Sequence, residues 1–377
     1  MPAPGAAGRV AVIAKPGRAR SKGSATLADV ARLAGVSAMT VSRVMNGDRK
    51  VTDDTRAIVR RAVGQLDYVP NMAARTLASG AVTHIGLLHS NPSSAYLSHI
   101  LVGALDAARM LGCQLLVEQC EAEGPEEQAN VVRRFAASGI EGVILIPPLC
   151  ESADILADLR SIGVPAATIA SNPRGGSTLN VRMDDFRAAE EMTSYLLRLG
   201  HRKIGFIKGH PNQAASRHRL DGFVSAVAGF GLNAERLPVT AGDFTYRSGL
   251  TAAELLLTDP RPPTAIFASN DDMAAAVLSV AHRRGMIVPK DLTVVGFDDT
   301  SLATTVWPEL TTVRQPIAQM AEAAVRLLFE AIRAANGTRG IRATDRVLDH
   351  RIVVRESSAA PTRWYQADAS LPANRFE

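Results

Sequence analysis

The chain has 377 residues, well beyond one ordinary domain of about 150, so two or three domains are expected. Apolar residues make up 46% and charged residues 21%, which excludes general disorder, while aromatics at 5% leave Leu, Ile, Val and Ala to fill the core. The net charge of +5 is unevenly spread: residues 1–80 hold 13 Lys and Arg against 5 Asp and Glu, and the rest hold 29 against 32. A basic N-terminal part on a slightly acidic body points to a polyanion partner for that part alone.

No apolar run approaches the roughly 18 residues of a membrane span. The apolar stretch VAVIA near the N-terminus is too short for a secretory signal, so the cytoplasm is the expected compartment. Three cysteines, Cys113, Cys120 and Cys150, lie in apolar surroundings without metal-ligand spacing and read as buried free thiols.

Residues 1–24 are rich in Ala, Gly, Pro, Arg and Lys without periodicity and read as a disordered basic tail. Residues 25–70 read as three short helices. Thr26 followed by Asp29 has capping-box spacing, and Leu27, Val30, Ala31 and Ala34 recur at helical intervals. Gly35 breaks that helix. Ser37 caps a second, with Val41 and Val44 facing inward and Asn46-Gly47 ending it. Thr52 caps a third, whose inward face holds Ile58, Val59, Ala62 and Leu66, and which closes at Tyr68-Val69-Pro70. Helix, glycine turn, helix is the helix-turn-helix spacing. Residues 71–82 form a connector too short to be a stable helix alone.

From residue 83 strands alternate with helices. HIGLLH (84–89), QLLVEQ (114–119), GVILIP (142–147), PAATIA (165–170), KIGFIK (203–208), TAIFAS (264–269) and TVVGFD (293–298) read as strands. Helical stretches lie at 96–111, 126–138, 186–199, 216–229 and 271–284. Alternation argues for parallel sheets with helices on both faces, and the length of 83–360 for two lobes with a crevice between them.

In such sheets ligands sit beyond the carboxyl ends of the strands. Those ends here are Ser90-Asn91-Pro92-Ser93-Ser94, Ser171-Asn172, Gly209-His210-Pro211-Asn212, Asn270-Asp271-Asp272 and Asp298-Asp299. Neutral hydrogen-bonders with a few carboxylates suit a neutral polyhydroxylated ligand, and Tyr96 and Phe244 offer flat apolar faces. The same residue types are also ordinary turn formers and helix caps. Enzyme signatures such as a phosphate loop, a zinc-protease motif or a nucleophile elbow are missing from the sequence, so no catalytic residues, cofactor or metal are expected. Asp271-Asp272 and Asp298-Asp299 remain open to a metal reading or to a capping one, and His201-Arg202-Lys203 reads as a turn.

The segment TLADVARLAGVSAMTVSRVMN (26–46), continuing through VTDDTRAIVRRAVGQLDYVPNMAARTLASG, closely resembles the DNA-binding head of the lac repressor/galactose repressor (LacI/GalR) family. LGHRKIGFI, RLDGF, AIFASNDDMA, VVGFDDT, PELTTVRQP and RIVVRES extend the resemblance over about residues 25–358. It implies a bacterial transcription regulator, most often a repressor, with a small all-α helix-turn-helix head and a two-lobed α/β body like periplasmic binding proteins. It also implies a homodimer, in some members a tetramer, on a pseudo-palindromic operator in double-stranded DNA.

By this resemblance 37–44 is the recognition helix, with Ala38 and Met39 at the variable base-reading positions and Arg43 the polar reader, suited to guanine. Thr26, Ser37, Thr40, Ser42 and Asn46 suit phosphates or caps. Residues 71–82 take the place of the hinge helix: Leu77 is the minor-groove wedge, Ala74 permits close approach of two hinges, and Asn71 and Arg75 reach the DNA backbone. Arg219, Asn270, Asp298 and Gln315 fall on effector-contacting positions, Phe244 on the stacking position, and Asn91 and Tyr96 after the first strand. Ala170 departs from some sugar-responsive relatives that carry an acidic residue there, with Ser171 or Asn172 as the compensating candidate. One Arg with a carboxylate and several amides suits a sugar or sugar derivative better than a purine. The competing readings are a sugar-binding protein without a DNA role and an activator of the same family. Residues 359–377 lack a leucine heptad, which argues against a tetramerising coiled coil, and 361–377 read as a C-terminal tail.

Overall fold

The computed structural model describes residues 26–45, 51–66, 82–91, 93–120, 124–170, 179–335 and 343–362. The expectations for the N-terminal tail, for Asn46, Asn71, Ala74, Arg75, Leu77 and Ser171, for the hinge and for the tail beyond residue 362 lie outside them. Two compact units result, a helical head and an α/β body.

The head is built from α1 (Leu27–Ala34), α2 (Ala38–Met45) and α3 (Asp53–Gln65). Thr26 and Asp29 form the reciprocal capping box: Asp29 N donates to Thr26 Oγ1, and Thr26 N donates to Asp29 Oδ2 at 2.9 Å. Gly35, at φ 65°, ends α1 in a left-handed conformation that disfavours a side chain. Ser37 caps α2 through Thr40 N at 3.1 Å, and Thr52 caps α3 through Thr55 N. Val30, Ala31, Val41, Val44, Val59 and Ala62 close one small core. Ile58, expected inside, is 47% exposed. The inward face of α3 runs through Val59 and Ala62, and one residue earlier lies 100° round the helix.

The body has two six-stranded sheets. The first contains β1 (His84–His89), β2 (Gln114–Gln119), β3 (Gly142–Leu145), β4 (Ala166–Ile169) and β5 (Leu179–Met183), flanked by α4 (Ser94–Leu111), α5 (Pro125–Ala137) and α6 (Ala153–Ser161). The second opens with α7 (Asp185–Arg198) and continues through β6 (Ile204–Ile207), α8 (Ala214–Gly229), β7 (Val239–Thr240), α9 (Tyr246–Thr258), β8 (Ala265–Ala268), α10 (Asp271–Arg283), β9 (Thr293–Asp298), α11 (Leu302–Thr305) and β10 (Thr311–Arg314). The chain then returns to the first lobe with α12 (Ile317–Ala335) and β11 (Thr344–Leu348), and to the second with β12 (Arg351–Val353). The strand orders are β11-β5-β4-β3-β1-β2 and β12-β10-β9-β8-β6-β7, parallel except for the β10–β12 pair.

The expected strands and helices appear at their places with ends shifted by one or two residues. Not anticipated were α6, α9, α11, α12 and the strands β5, β7, β10, β11 and β12. These strands carry polar residues or lie at an edge, so their apolar runs are short. Asn180 in β5 is fully buried, because its amide donates to Asp345 Oδ1 at 2.7 Å and its oxygen accepts from Thr168 at 2.9 Å. Neighbouring strand residues feed opposite faces: Leu87 joins the core under α4 and α12, Leu88 the core under α5 and α6. Gly103 lets α4 and α12 touch, since a Cβ there would meet the Ala318 carbonyl at 2.0 Å.

Cys113, Cys120 and Cys150 are buried free thiols, and burial pushes the Cys113 thiol up to about 11. His201 is 1% exposed and bridges Thr264 Oγ1 and the Ala359 carbonyl, each at 2.9 Å, pinning the C-terminal segment to β8. Burial first, and the Arg202 charge besides, hold its imidazole below the ordinary histidine value. The fold therefore favours the neutral ring, while the unfolded chain takes up a proton near pH 6.5. The stability this contributes is present above about pH 6.5 and is lost as pH falls. Urea midpoints at pH 7.5 and 5.5 are expected to fall further for the wild type than for His201→Gln; equal falls would show that His201 does not carry the effect.

Candidate functional site

On the head, α2 has two unlike faces. Val41 and Val44 pack inward, while Ala38, Met39 and Arg43 are exposed, Met39 at 66%. An exposed methionine beside an exposed arginine, on a helix whose only buried contacts are small, forms a presentable reading face. The hydroxyls of Ser37 and Thr40 bond each other at 2.9 Å, and the Thr26 hydroxyl donates to Asp29 Oδ2 at 2.6 Å. Thr26 and Ser37 thus serve as caps. Ser42 is half-buried.

On the body, Asn91, Tyr96, Arg219, Phe244, Asn270, Asp298 and Gln315 line one cleft between the sheets, about 380 Å³ counting the space open to solvent. Ser93, Pro147, Ala170, Gln213 and Ala215 complete the lining. Ser93 lies within the segment that the strand-end rule gave after β1, whereas Gln213 lies one residue past the segment given after β6. Ala215 and Pro147 carry no chemical signal of their own.

Arg219 is the centre of the site. It enters from α8, 5% exposed, and its Nε meets Asp185 Oδ1 at 2.8 Å. Its NH1 donates to the Ser269 carbonyl at 2.5 Å and lies 3.8 Å from Asp298 Oδ1. The guanidinium stacks 3.6 Å from the Phe297 ring centroid and 5.8 Å from that of Phe244. Gln315 Nε2 donates to Asp298 Oδ1 at 2.5 Å. Burial raises the Asp298 carboxyl well above its ordinary value, against the opposing pull of Arg219.

Among the described residues, Ala170, Phe244, Asp298 and Asp299 are the non-glycine residues with positive φ, and the first three line the cleft. Such backbone costs of the order of 1–3 kcal/mol per residue and persists where surrounding structure over-determines it. At Phe244 (φ 72°) the bend lays the ring on Gly209, where a Cβ would sit 1.9 Å from it, while the Phe244 carbonyl accepts from Asn270 Nδ2 at 2.9 Å. The Tyr96 hydroxyl is buried in the cleft without a hydrogen-bond partner in the structure. Burial first, then the nearby Asp298 charge, push its pKa far up, so it is a neutral donor.

The neighbouring acids have structural work. Asp271, fully buried, accepts from Thr300 N at 2.8 Å and from Thr312 Oγ1 at 2.6 Å. Asp299 pairs with Arg314 and Arg355. Asp271 and Asp299 thus carry protein partners on the oxygens that a metal reading would need. Among the described residues, no three His, Cys, Asp or Glu side chains are grouped to share one, and no helix is long and apolar enough to cross a membrane.

A helix-turn-helix head joined to a two-lobed body with a polar interior cleft defines a ligand-binding transcription regulator. Residues 26–71 match the model of bacterial regulatory proteins of the lacI family, and residues 193–358 that of the periplasmic binding protein-like domain. Catabolite control protein A of Priestia megaterium is 32% identical, over 88% of this chain and 99% of that protein. The ribose operon repressor of Escherichia coli (strain K12) is 32% identical, over 82% and 93%. A solved complex of the transcriptional regulator CelR with cellobiose has TM-score 0.66 and 32% identity, covering 89% of this chain and all of that one. The lac repressor dimer bound to operator and the anti-inducer ONPF gives TM-score 0.66 and 27% identity, over 90% and 100%. This chain belongs to the LacI family of bacterial regulatory proteins, and it is a DNA-binding transcriptional regulator built as the family's repressors are.

Proposed function

We propose that this regulator represses transcription as a homodimer on a pseudo-palindromic operator, and that an uncharged sugar or sugar derivative bound between the lobes controls it. The observation that carries the effector assignment is the buried, unpartnered Tyr96 hydroxyl facing the surroundings of Asp298 and Arg219. A hydroxyl-bearing ligand supplies the acceptor that Tyr96 lacks and a second donor for the Asp298 carboxyl beside Gln315. Asp185, Asp272 and Asp298 outnumber Arg219 around the cleft, which disfavours a phosphorylated or carboxylated ligand. Phe244 offers its ring, and Asn91, Asn270 and Gln315 their amides, while Ser171 is the remaining candidate contact. The names of the relatives support this class, since they include a ribose operon repressor and a cellobiose complex.

In the head, Arg43 reads a guanine and Ala38 and Met39 touch neighbouring bases, while Thr26, Ser37, Thr40, Ser42 and Asn46 position helix and backbone. Asn71, Ala74, Arg75 and Leu77 act as a hinge in the minor groove. The exposed apolar stripe of Val102 and Leu105 on α4 and the exposed Leu255 on α9 support a partner subunit against the body. The chain works in the cytoplasm and catalyses no reaction.

Fluorescence anisotropy on DNA from the gene's own upstream region, against scrambled DNA at fixed salt, tests this reading with a panel of mono- and disaccharides. Selective binding that one sugar changes is expected. Selective binding indifferent to every sugar would remove the effector assignment, and equal binding to both DNAs would remove the operator. Asp298→Asn keeps the acceptor for Gln315 but loses the charge, so it should weaken the effector by about 1.5–3 kcal/mol, as for hydrogen bonds to charged groups. Operator affinity without effector should stay as in the wild type; an unchanged sugar response would take Asp298 out of the site.

A further inference from the structure

Two hydrogen bonds join the lobes around the cleft. Ser93 Oγ, at the start of α4 in the first lobe, donates to Asp272 Oδ2, at the start of α10 in the second, at 2.7 Å. The backbone N–H of Ala214, the first residue of α8 in the second lobe, donates to Glu151 Oε1 of the first lobe at 3.2 Å. Each lobe therefore lends one carboxylate to the start of a helix in the other.

Neither contact duplicates a local one. Gln213, the N-cap residue of α8, makes no side-chain capping bond, so a carboxylate from the opposite lobe serves the helix start instead. A carboxylate is the favoured group there, because unpaired N–H groups and the helix dipole both point at it. Ser93 accepts from Tyr96 N at 3.3 Å while donating to Asp272, so its hydroxyl caps α4 and bridges the lobes at once. Asp272 Oδ2 also accepts from Asn270 Nδ2 at 3.4 Å, which ties the contact to a residue lining the cleft. On α8, Arg219 follows the Glu151-capped end by about one and a half turns. The chain passes between lobes in short stretches after β5, after β10 and after β11, connections suited to rigid-body opening.

We infer that Glu151 and Asp272 are positioning residues for effector binding: a two-point clasp that holds the lobes closed and sets their open–closed equilibrium. Neither is among the residues lining the cleft, so they act through α8, α10 and the lobe angle. Opening strips α8 of its cap and leaves Asp272 without its Ser93 partner, so closure and the placement of Arg219 move together. The regulatory meaning of the clasp rests on the effector reading above; its effect on lobe angle does not.

The test measures the distance between spin labels on Asp154→Cys in the first lobe and Arg217→Cys in the second, both exposed, in the full chain diluted with unlabelled protein. Glu151→Ala and Ser93→Ala, singly and together, are expected to shift the distance distribution to longer values, the double variant most. Glu151→Gln keeps an acceptor oxygen and should restore much of the closed population. An unchanged distribution in the double variant, with cooperative melting retained, would overturn the clasp; if the double variant does not fold, an unchanged distribution in both single variants does so. Operator titrations with the sugar panel separate the two readings. Lobes that open in the variants while no sugar alters operator binding by the wild type would leave the clasp standing and sink the effector assignment.

Discussion

Arg219→Ala should cost the body about 3–5 kcal/mol, the usual consequence of removing one partner from a buried ion pair. The arginine is the cation between two carboxylates, Asp185 and Asp298, that are 6% and 4% exposed. Without it both are left buried and uncompensated, the Ser269 carbonyl loses a donor, and the Phe297 face loses its stacked cation. A change of this size lowers the melting temperature by roughly 2–4 °C per kcal/mol in a domain of 150–250 residues. Calorimetry is the direct check, and pH gives the cause. Carboxylates forced to stay buried without a cation bind protons in the fold more readily than in the unfolded chain, so the variant should regain stability as pH falls. A deficit that is the same at pH 5 and pH 8 would point to lost packing instead. Arg219→Lys should rescue little, because a point charge cannot bond Asp185, Ser269 and an aromatic face together.

Arg43→Ala is expected to weaken operator binding by about 1–3 kcal/mol per half-site and to relax selectivity at one base pair of each half-site. The side chain projects from the exposed face of α2, beside Met39, while Val41 and Val44 hold the helix from behind. Binding to an operator series with single substitutions distinguishes the alternatives. A guanine contact gives a selective loss at one position; a phosphate contact weakens every sequence alike and lowers the salt slope by about one. Head stability should change far less than operator binding, since Arg43 is exposed and lies outside the head core.

The head was legible because its signals are local. The Thr26–Asp29 box, the Gly35 stop and the Ser37 and Thr52 caps each act within four residues, and side-chain chemistry at that range survives reading in one dimension. Ile58 was misread because both it and Val59 are apolar, and only the packing against α1 decides which of two adjacent residues turns inward. In the body, the long apolar strands were legible for a similar reason. The polar strands β5 and β10 were not, since Asn180, Thr311 and Thr312 are buried through partners far away in sequence: Asn180 with Asp345, and Thr312 with Asp271.

The cleft shows the same division. The strand-end rule named the kind of residue that gathers there without separating Asp298 from Asp299 or Asp271, and only the family resemblance singled out Asp298. All three are acids at strand ends. Asp298 faces Arg219 and the cleft, Asp299 holds Arg314 and Arg355, and Asp271 ties Thr300 to Thr312. Residue type and spacing determined by themselves the head, the alternation of strands and helices, the basic N-terminal part and the family. Tertiary structure alone decided which acids are ligands for protein groups and which face open space, that Tyr96 keeps an unpartnered hydroxyl, and that Glu151 caps a helix of the opposite lobe. Local hydrogen bonds and periodic burial are written in neighbouring residues, whereas the direction of a buried charge is set by partners that only folding brings near.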